Sequence, residues 1–293
     1  MLIGAIEAGG TKFVCGVGSR EGEIIEHCSI PTSTPEETLE QVFAFFSKFT
    51  INALGVGTFG PADLNPASAS YGNITTTPKV KWAGFPLLST LQKELNVPAA
   101  FDTDVNAAAL GELTWGAARG LDSCMYMTVG TGIGVGAVVD GKVLHGMNHP
   151  EMGHILVRRH PSDSFQGLCP YHGDCLEGLA AGPAIEKRWG KKGTELVDRL
   201  EVWELEADYI AQALVNYALI FGPKRMILGG GVMKQQQLFP LIREKFKIYM
   251  NGYLQNSFLD DLETYIVPPA LNDFAGLKGS IALAVLASKV HSL

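Results

Sequence analysis

Between residues 2 and 27, "LIGAIEAGGTKFVCGVGSREGEIIEH", apolar runs are cut first by a Gly-Gly turn and then by a polar one. That pattern predicts three strands able to pair antiparallel. The plan returns at residues 124–146, "CMYMTVGTGIGVGAVVDGKVLHG", with Asp140-Gly141 as a hairpin turn. The elements after each triplet also correspond. After the first come a helix, "PEETLEQVFAFFSKF", a strand ending in glycine, "ALGVGTFGP", a short strand at "VPAAFD" and a helix at "VNAAALGELTWGAA". After the second come a long helix, "VWELEADYIAQALVNYALIFG", a strand ending in glycines, "RMILGGGV", another helix, a strand at "TYIVPPA" and the helix "LKGSIALAVLASKV". Residues 1–118 and 119–293 therefore read as two copies of one α/β topology, the second carrying an insertion at roughly 147–176. The last helix, about 275–293, is expected to pack back on the first copy.

Composition changes this picture by exclusion. With 293 residues, 46% of them hydrophobic and 18% charged, the chain has the makings of an ordinary globular protein with two substantial cores. A formal charge of −7 disfavours broad binding to nucleic acid or anionic membranes. No apolar run is long enough to cross a bilayer, and "MLIGAIEAGGTKF" lacks the basic start and cleavage site of a signal peptide. These features point to the cytoplasm, where thiols stay reduced. Cys15, Cys28 and Cys124 sit in apolar or strand-like contexts, whereas Cys169 and Cys175 flank His172 in the polar stretch "CPYHGDC". His154 lies fifteen residues before Cys169, at the end of "HPEMGH". In a reducing compartment a Cys/His cluster favours a metal over a disulfide, although the spacing is not that of a zinc finger.

The glycine-rich turns carry the remaining chemistry. "VGTGIGVGA" satisfies G-x-G-x-x-A at Gly132, Gly134 and Ala137, but it leads into a hairpin pattern and not a helix, so the dinucleotide reading fails. A turn between strands can still aim backbone N–H groups at an anion. "AGGTK" offers the same device, with Gly9, Gly10, the Thr11 hydroxyl and the Lys12 charge. Either turn alone reads as a tight hairpin; the two together, with "LGGGVM" ending a strand, favour a clamp for a polyphosphate. In "FDTDVNAAALGE" Asp104 stands where a strand passes into a helix, placed either to accept a proton or, with Asp102 or Thr103, to cap the helix.

In this order, "EAGGTKF", "GTFGP", "TDVNAAALGE", "GTGIGVGA", "HPEMGHI", "CPYHGDCLEGLAAGP" and "LGGGVM" resemble the ROK family of sugar kinases and sugar-responsive repressors, most closely its bacterial fructokinases. The resemblance implies a duplicated actin/hexokinase-like (ribonuclease H-like) two-domain fold around a cleft, with a zinc-binding insertion. It implies that Gly9, Gly10, Thr11 and Lys12, with Gly130, Thr131 and Gly132, bind the phosphates of ATP. It further implies nucleotide contacts at Gly182, Pro183, Gly230, Gly231 and Val232. Asp104 matches the catalytic base, and Thr103, Glu151, His154 and Glu177 match positions at the sugar. His154, Cys169, His172 and Cys175 match the zinc ligands, a closed set of two imidazoles and two thiolates that makes the metal structural.

Three positions depart from the family pattern. Glu7 stands where many members have Asp, and as an anion it remains able to orient hydrated magnesium. Thr103 replaces the usual Asn before the base, which fits the fructokinase branch. His172 replaces one of three cysteines. The insertion carries few large apolar residues, so metal bonds are expected to order it and to set Glu151 and Glu177 against a sugar. The implied reaction is ATP- and magnesium-dependent phosphorylation of a hexose, D-fructose first, with mannose and glucose as alternatives. A sugar-sensing repressor is the rival from another class; with the first strand beginning at Leu2, no helix-turn-helix module is expected. A homodimer is the implied assembly.

Overall fold

The computed structural model describes residues 1–77 and 79–290. In chain order its elements are β1 (Ile3–Ala8), β2 (Lys12–Gly18), β3 (Ile24–Pro31), α1 (Pro35–Phe46), β4 (Ala53–Thr58), α2 (Leu87–Leu95), β5 (Ala99–Thr103), α3 (Asp104–Trp115), β6 (Cys124–Val129), β7 (Ile133–Val139), β8 (Lys142–Val143), α4 (Leu176–Ala180), α5 (Gly182–Trp189), α6 (Leu200–Ile220), β9 (Met226–Gly229), α7 (Leu238–Met250), α8 (Leu262–Tyr265), β10 (Ile266–Val267) and α9 (Ala275–Val290). Residues 291–293, the end of the last helix expected from the sequence, lie outside the described residues.

The duplication is visible in the hydrogen bonding. One sheet has the order β3-β2-β1-β4-β5 and the other β10-β9-β6-β7-β8. In each, the first strand of the triplet pairs antiparallel with the second and parallel with the first strand after the triplet, β4 or β9. Two expected strands shrink. The third strand of the second triplet keeps only Lys142–Val143, and "TYIVPPA" yields the helical turn of α8 followed by Ile266–Val267. The turn before β8 is as the sequence predicts, since Asp140 and Gly141 take φ of 51° and 72°, the left-handed pair that a type I′ hairpin requires.

Two compact units divide the chain: Met1–Gly120, Val143–Pro150 and the residues from Ala270 on form one, Leu121–Lys142 and Glu151–Pro269 the other. In the first, alternation along β1 sends Ile6 and Ala8 to a core shared with Leu39, Val42 and Phe46 of α1 and Leu87 of α2. Helix α1 starts where Thr34 accepts the Glu37 N–H at 3.2 Å and Pro35 sets the first φ. The other face of β1, Ile3 and Ala5, packs with Ala53 against Leu277, Ile281 and Ala284 of α9. Helix α9 lies backbone to backbone on its neighbours, because a Cβ at Gly55 would collide with the Ser280 carbonyl and one at Gly279 with the Ala107 carbonyl.

Glu112, fully buried, fixes the returning chain. Its Oε1 accepts the Leu271 N–H at 2.9 Å, and its Oε2 accepts those of Ala117 at 2.6 Å and Ala270 at 3.2 Å. In the second unit α6 is largely buried, with Trp203, Tyr209, Ile210, Leu214 and Tyr217 in the core. The insertion docks on this framework through Asp163. That carboxylate accepts Tyr209 Oη–H at 2.7 Å, Arg188 Nε–H at 3.2 Å and the Phe165 N–H at 3.0 Å. Both charged side chains are almost sealed, 7% and 3% exposed, so the pair is a buried one and breaking it leaves an uncompensated charge. Metal bonds are therefore not all that orders the insertion, contrary to the sequence-based expectation.

Candidate active site and metal centre

In the first unit, the β1–β2 turn is closed by Gly9 N–H donating to Lys12 O at 2.9 Å and by the Thr32 hydroxyl donating to Gly9 O at 2.7 Å. Thr11 and Lys12 stand exposed at its tip. A Cβ placed on Gly10 would come within 3.8 Å of Lys79 Cε, so a second cationic side chain reaches this turn. Nothing in the local sequence pattern marks Lys79 for that place.

Glu7, at the end of β1, has an Oε2 closed to solvent with no hydrogen-bond partner. Its pKa is pushed up to about 7, chiefly by desolvation and against the pull of Lys12. The oxygen is unsatisfied but sealed from solvent, so it would meet the water shell of magnesium, a hard cation that keeps its waters, only once its surroundings open.

At the β5–α3 junction the cap is Thr103, whose Oγ1 accepts the Asn106 N–H at 3.2 Å. The cap and base readings of Asp104 are thereby separated, since Asp104 is the first helical residue and its Oδ1 accepts the neighbouring Val105 N–H at 2.9 Å. Gly57 on β4 lets the junction approach, since a Cβ there would stand 3.2 Å from Asp104 Cα and 2.9 Å from Ala107 Cβ. Asp102, 3% exposed, takes the Thr103 N–H and Asn106 Nδ2–H on Oδ1, each at 2.7 Å. Its Oδ2 lies 2.8 Å from His145 Nε2. His149, on the same segment as His145, accepts the Ala62 N–H on Nε2 at 3.1 Å. His145 lies outside every motif drawn from the sequence, and His149, though it opens "HPEMGHI", is given no role there.

The second unit brings three of the expected nucleotide segments together. Gly182 N–H donates to Gly130 O at 2.7 Å, joining the β6–β7 turn to the start of α5. A Cβ on Gly130 would stand 3.9 Å from the Gly231 nitrogen, and one on Gly182 3.8 Å from Val232 Cγ2. Gly230 has φ +91°, and a side chain there would strike Val129. Gly132 has a neighbour that the sequence does not disclose. Glu177 Oε2 accepts the Ile133 N–H at 2.9 Å and would stand 2.6 Å from a Cβ at residue 132.

Glu177 Oε1 lies 3.9 Å from His154 Nε2. Glu151, exposed as a residue, has a carboxyl crowded by protein and titrates above the ordinary range, first through desolvation and then through the Glu177 charge.

His154, Cys169, His172 and Cys175 present four ligand atoms that all lie within 4.8 Å of one another. Bonds of about 2.3 Å to sulfur and 2.05 Å to nitrogen give a tetrahedral S···N edge of about 3.6 Å. The observed edges are 3.7 Å for Cys169 Sγ to His154 Nδ1, 3.6 Å for Cys169 Sγ to His172 Nδ1 and 3.5 Å for Cys175 Sγ to His154 Nδ1. Three of the six edges thus match those of a tetrahedral zinc site, and the donor set is one that suits zinc. The His172 N–H also points at Cys169 Sγ, at 3.5 Å. His154 turns Nδ1 to the sulfurs and leaves Nε2 on the Glu177 side.

A family model described as the ROK family matches residues 3–286. A putative fructokinase of Bacillus subtilis (strain 168) is 57% identical over 284 residues, covering 97% of this chain and 95% of the relative. A fructokinase of Pediococcus pentosaceus is 48% identical over 289 residues, covering 99% of both. Among solved structures, a ROK hexokinase from Thermus thermophilus superposes with a TM-score of 0.82 at 27% identity, covering 99% of this chain and 100% of that one. The motif resemblance and the duplicated two-domain α/β fold are borne out.

Proposed function

This chain belongs to the ROK family, and we propose from that premise that it is an ATP-dependent sugar kinase acting on D-fructose. The observation that carries the reading is the near-complete alignment with fructokinases of high identity. In the reaction, the 6-hydroxyl of fructose gives its proton to Asp104 as its oxygen bonds to the γ-phosphorus, and the bond to the departing ADP breaks. Thr103, Glu151, His154 and Glu177 hold sugar hydroxyls. Gly130–Gly132, Gly182–Pro183 and Gly230–Val232 hold the nucleotide, and Gly9, whose own N–H closes the turn, joins Gly10, Thr11 and Lys12 in gripping phosphates with the turn's remaining backbone N–H groups, a hydroxyl and a charge.

Magnesium bound with ATP supplies neutralisation of phosphate charge. Glu7 would orient the ion's waters once its carboxyl is ionised and opened to them. Zinc, held by His154, Cys169, His172 and Cys175, keeps Glu177 and His154 in register and takes no part in the chemistry. A cytoplasmic homodimer completes the reading. No helix among the described residues is long and apolar enough to cross a membrane.

A coupled ADP-release assay with fructose, glucose, mannose and N-acetylmannosamine tests this. Fructose should give the highest kcat/KM. No ADP release with any sugar would sink the kinase reading, while preference for glucose or mannose would move the substrate within it. Size-exclusion chromatography tests the dimer.

A further inference from the structure

We propose that His145 is a positioning residue for Asp104, acting by holding the buried Asp102 carboxylate at the β5–α3 junction. The proposal rests on the kinase reading, which gives Asp104 its work. Asp102 is the hub of the junction. Its Oδ1 is committed to the Thr103 N–H and to Asn106 Nδ2–H, both 2.7 Å away. Asn106 is itself 1% exposed and returns its own N–H to the Thr103 cap. Oδ2 is left to His145 Nε2 at 2.8 Å, with the Asp102 side chain 4% exposed and the imidazole 42%.

A carboxylate sealed to that degree must have its oxygens satisfied or give up its charge. Without His145 the group would rotate to find another donor, and its bonds to Thr103 and Asn106 would turn with it. Asp104 comes two residues later in the chain and makes its own hydrogen bond within the same first turn, to the Val105 N–H at 2.9 Å. A small tilt there misdirects the proton acceptor, and displacements of about 1 Å can cost about a hundredfold in rate.

The electrostatics agree with the geometry. The hydrogen bond that His145 gives to Asp102 raises the His145 pKa above the usual imidazole value, against the opposing effect of burial. The other titratable groups bearing on the pair are His149, kept towards neutrality mainly by burial, and Tyr71. His145 is thus biased to donate from Nε2 and His149 to accept there, so the segment 143–150 is pinned to the first unit at two points of opposite polarity.

The test compares His145→Ala, His145→Gln and His145→Asn in the full chain. Gln sets an amide N–H where Nε2 stands, whereas Asn sets it near Nδ1 and too short to reach Asp102. His145→Ala should lower kcat for fructose by about ten- to a hundredfold with the KM for ATP unchanged, and His145→Gln should restore most of the turnover. Hydrogen exchange at the amides of Thr103, Val105 and Asn106, which needs no activity, should quicken in His145→Ala and return in His145→Gln. Should His145→Ala fail to fold, His145→Asn takes its place against His145→Gln. Unchanged exchange, or a Gln variant no better than Ala or Asn, overturns the proposal. If the wild type releases no ADP with any hexose, the kinase reading fails and the exchange comparison alone decides for or against His145.

Discussion

Replacing Asp104 with Asn keeps the side chain's shape and the oxygen that faces the Val105 N–H, while removing the charge that accepts a proton. Turnover should fall by about two to four orders of magnitude, with the melting temperature little changed because Thr103, and not Asp104, caps the helix. A variant that melts early yet keeps its turnover per folded molecule would make Asp104 structural. Glu7 makes a different prediction. It titrates at about 7 where a solvated glutamate titrates at 4.5, because its carboxyl is desolvated. Between those values the folded chain holds a proton that the unfolded chain has released, so stability falls as pH rises through that window and then levels off. Glu7→Gln, which cannot ionise, should therefore raise the melting temperature at pH 8 by a few degrees, with the gain vanishing below pH about 4.5. Calorimetry without nucleotide or magnesium reads this; a gain independent of pH would mean that Glu7 is well solvated.

At the scale of elements, the insertion is held by the buried Asp163–Arg188 pair and, on the proposed reading, a second time by zinc on His154, Cys169, His172 and Cys175. Cys175→Ala leaves three ligands, so bound zinc should drop well below one per chain by metal analysis. Structural zinc contributes on the order of 10 kcal/mol where it is the only organiser of a small domain. With Asp163 still docked on Tyr209 and Arg188, the loss should be local: a raised KM for fructose and little change in the KM for ATP. Restoration of sugar affinity to the zinc-free protein by magnesium alone would show that the cluster does not shape the sugar site. The elements themselves are legible where their causes are local. Apolar runs cut by a Gly-Gly turn mark β1 and β2, Thr34-Pro35 marks the start of α1, and Asp140-Gly141 marks the hairpin. The Gly-rich turns are legible as turns, but the crowding of Gly132 by Glu177, whose carboxylate also takes an N–H 44 residues away, is not. Nor is the bond between Asp102 and His145, 43 residues apart, or that between Glu112 and Leu271, 159 apart. Periodicity and turn chemistry act over a few residues, whereas these contacts are set by how distant elements meet. That is also why β8 and β10 keep only two paired residues each despite strand-like sequence.

For the whole molecule, the telling feature is that the first unit is assembled from three separate stretches, with Glu112 fastening the last of them. Glu112→Ala strands three amide donors; at about 1.5–3 kcal/mol per bond to a charged group, partly regained through water, the loss should be about 3 kcal/mol. For a protein of this size that is a fall of roughly 6–12 °C in melting temperature, measured by calorimetry, with fructose turnover at low temperature largely kept. A shift within error would show that the returning segment is held by α9 packing alone. The same arrangement sets a timetable for synthesis. Ribosomes release roughly 5–20 residues per second, so the stretch Met1–Gly120 emerges on the order of ten seconds before the α9 residues that cover Ile3, Ala5 and Ala53. During that wait one face of the β1–β4 pairing stays bare, while most of the second unit, Leu121–Lys142 and Glu151–Pro269, is delivered complete. The stretch Met1–Gly120 is therefore made early but closed late, its sheet covered on both faces only when α9 arrives.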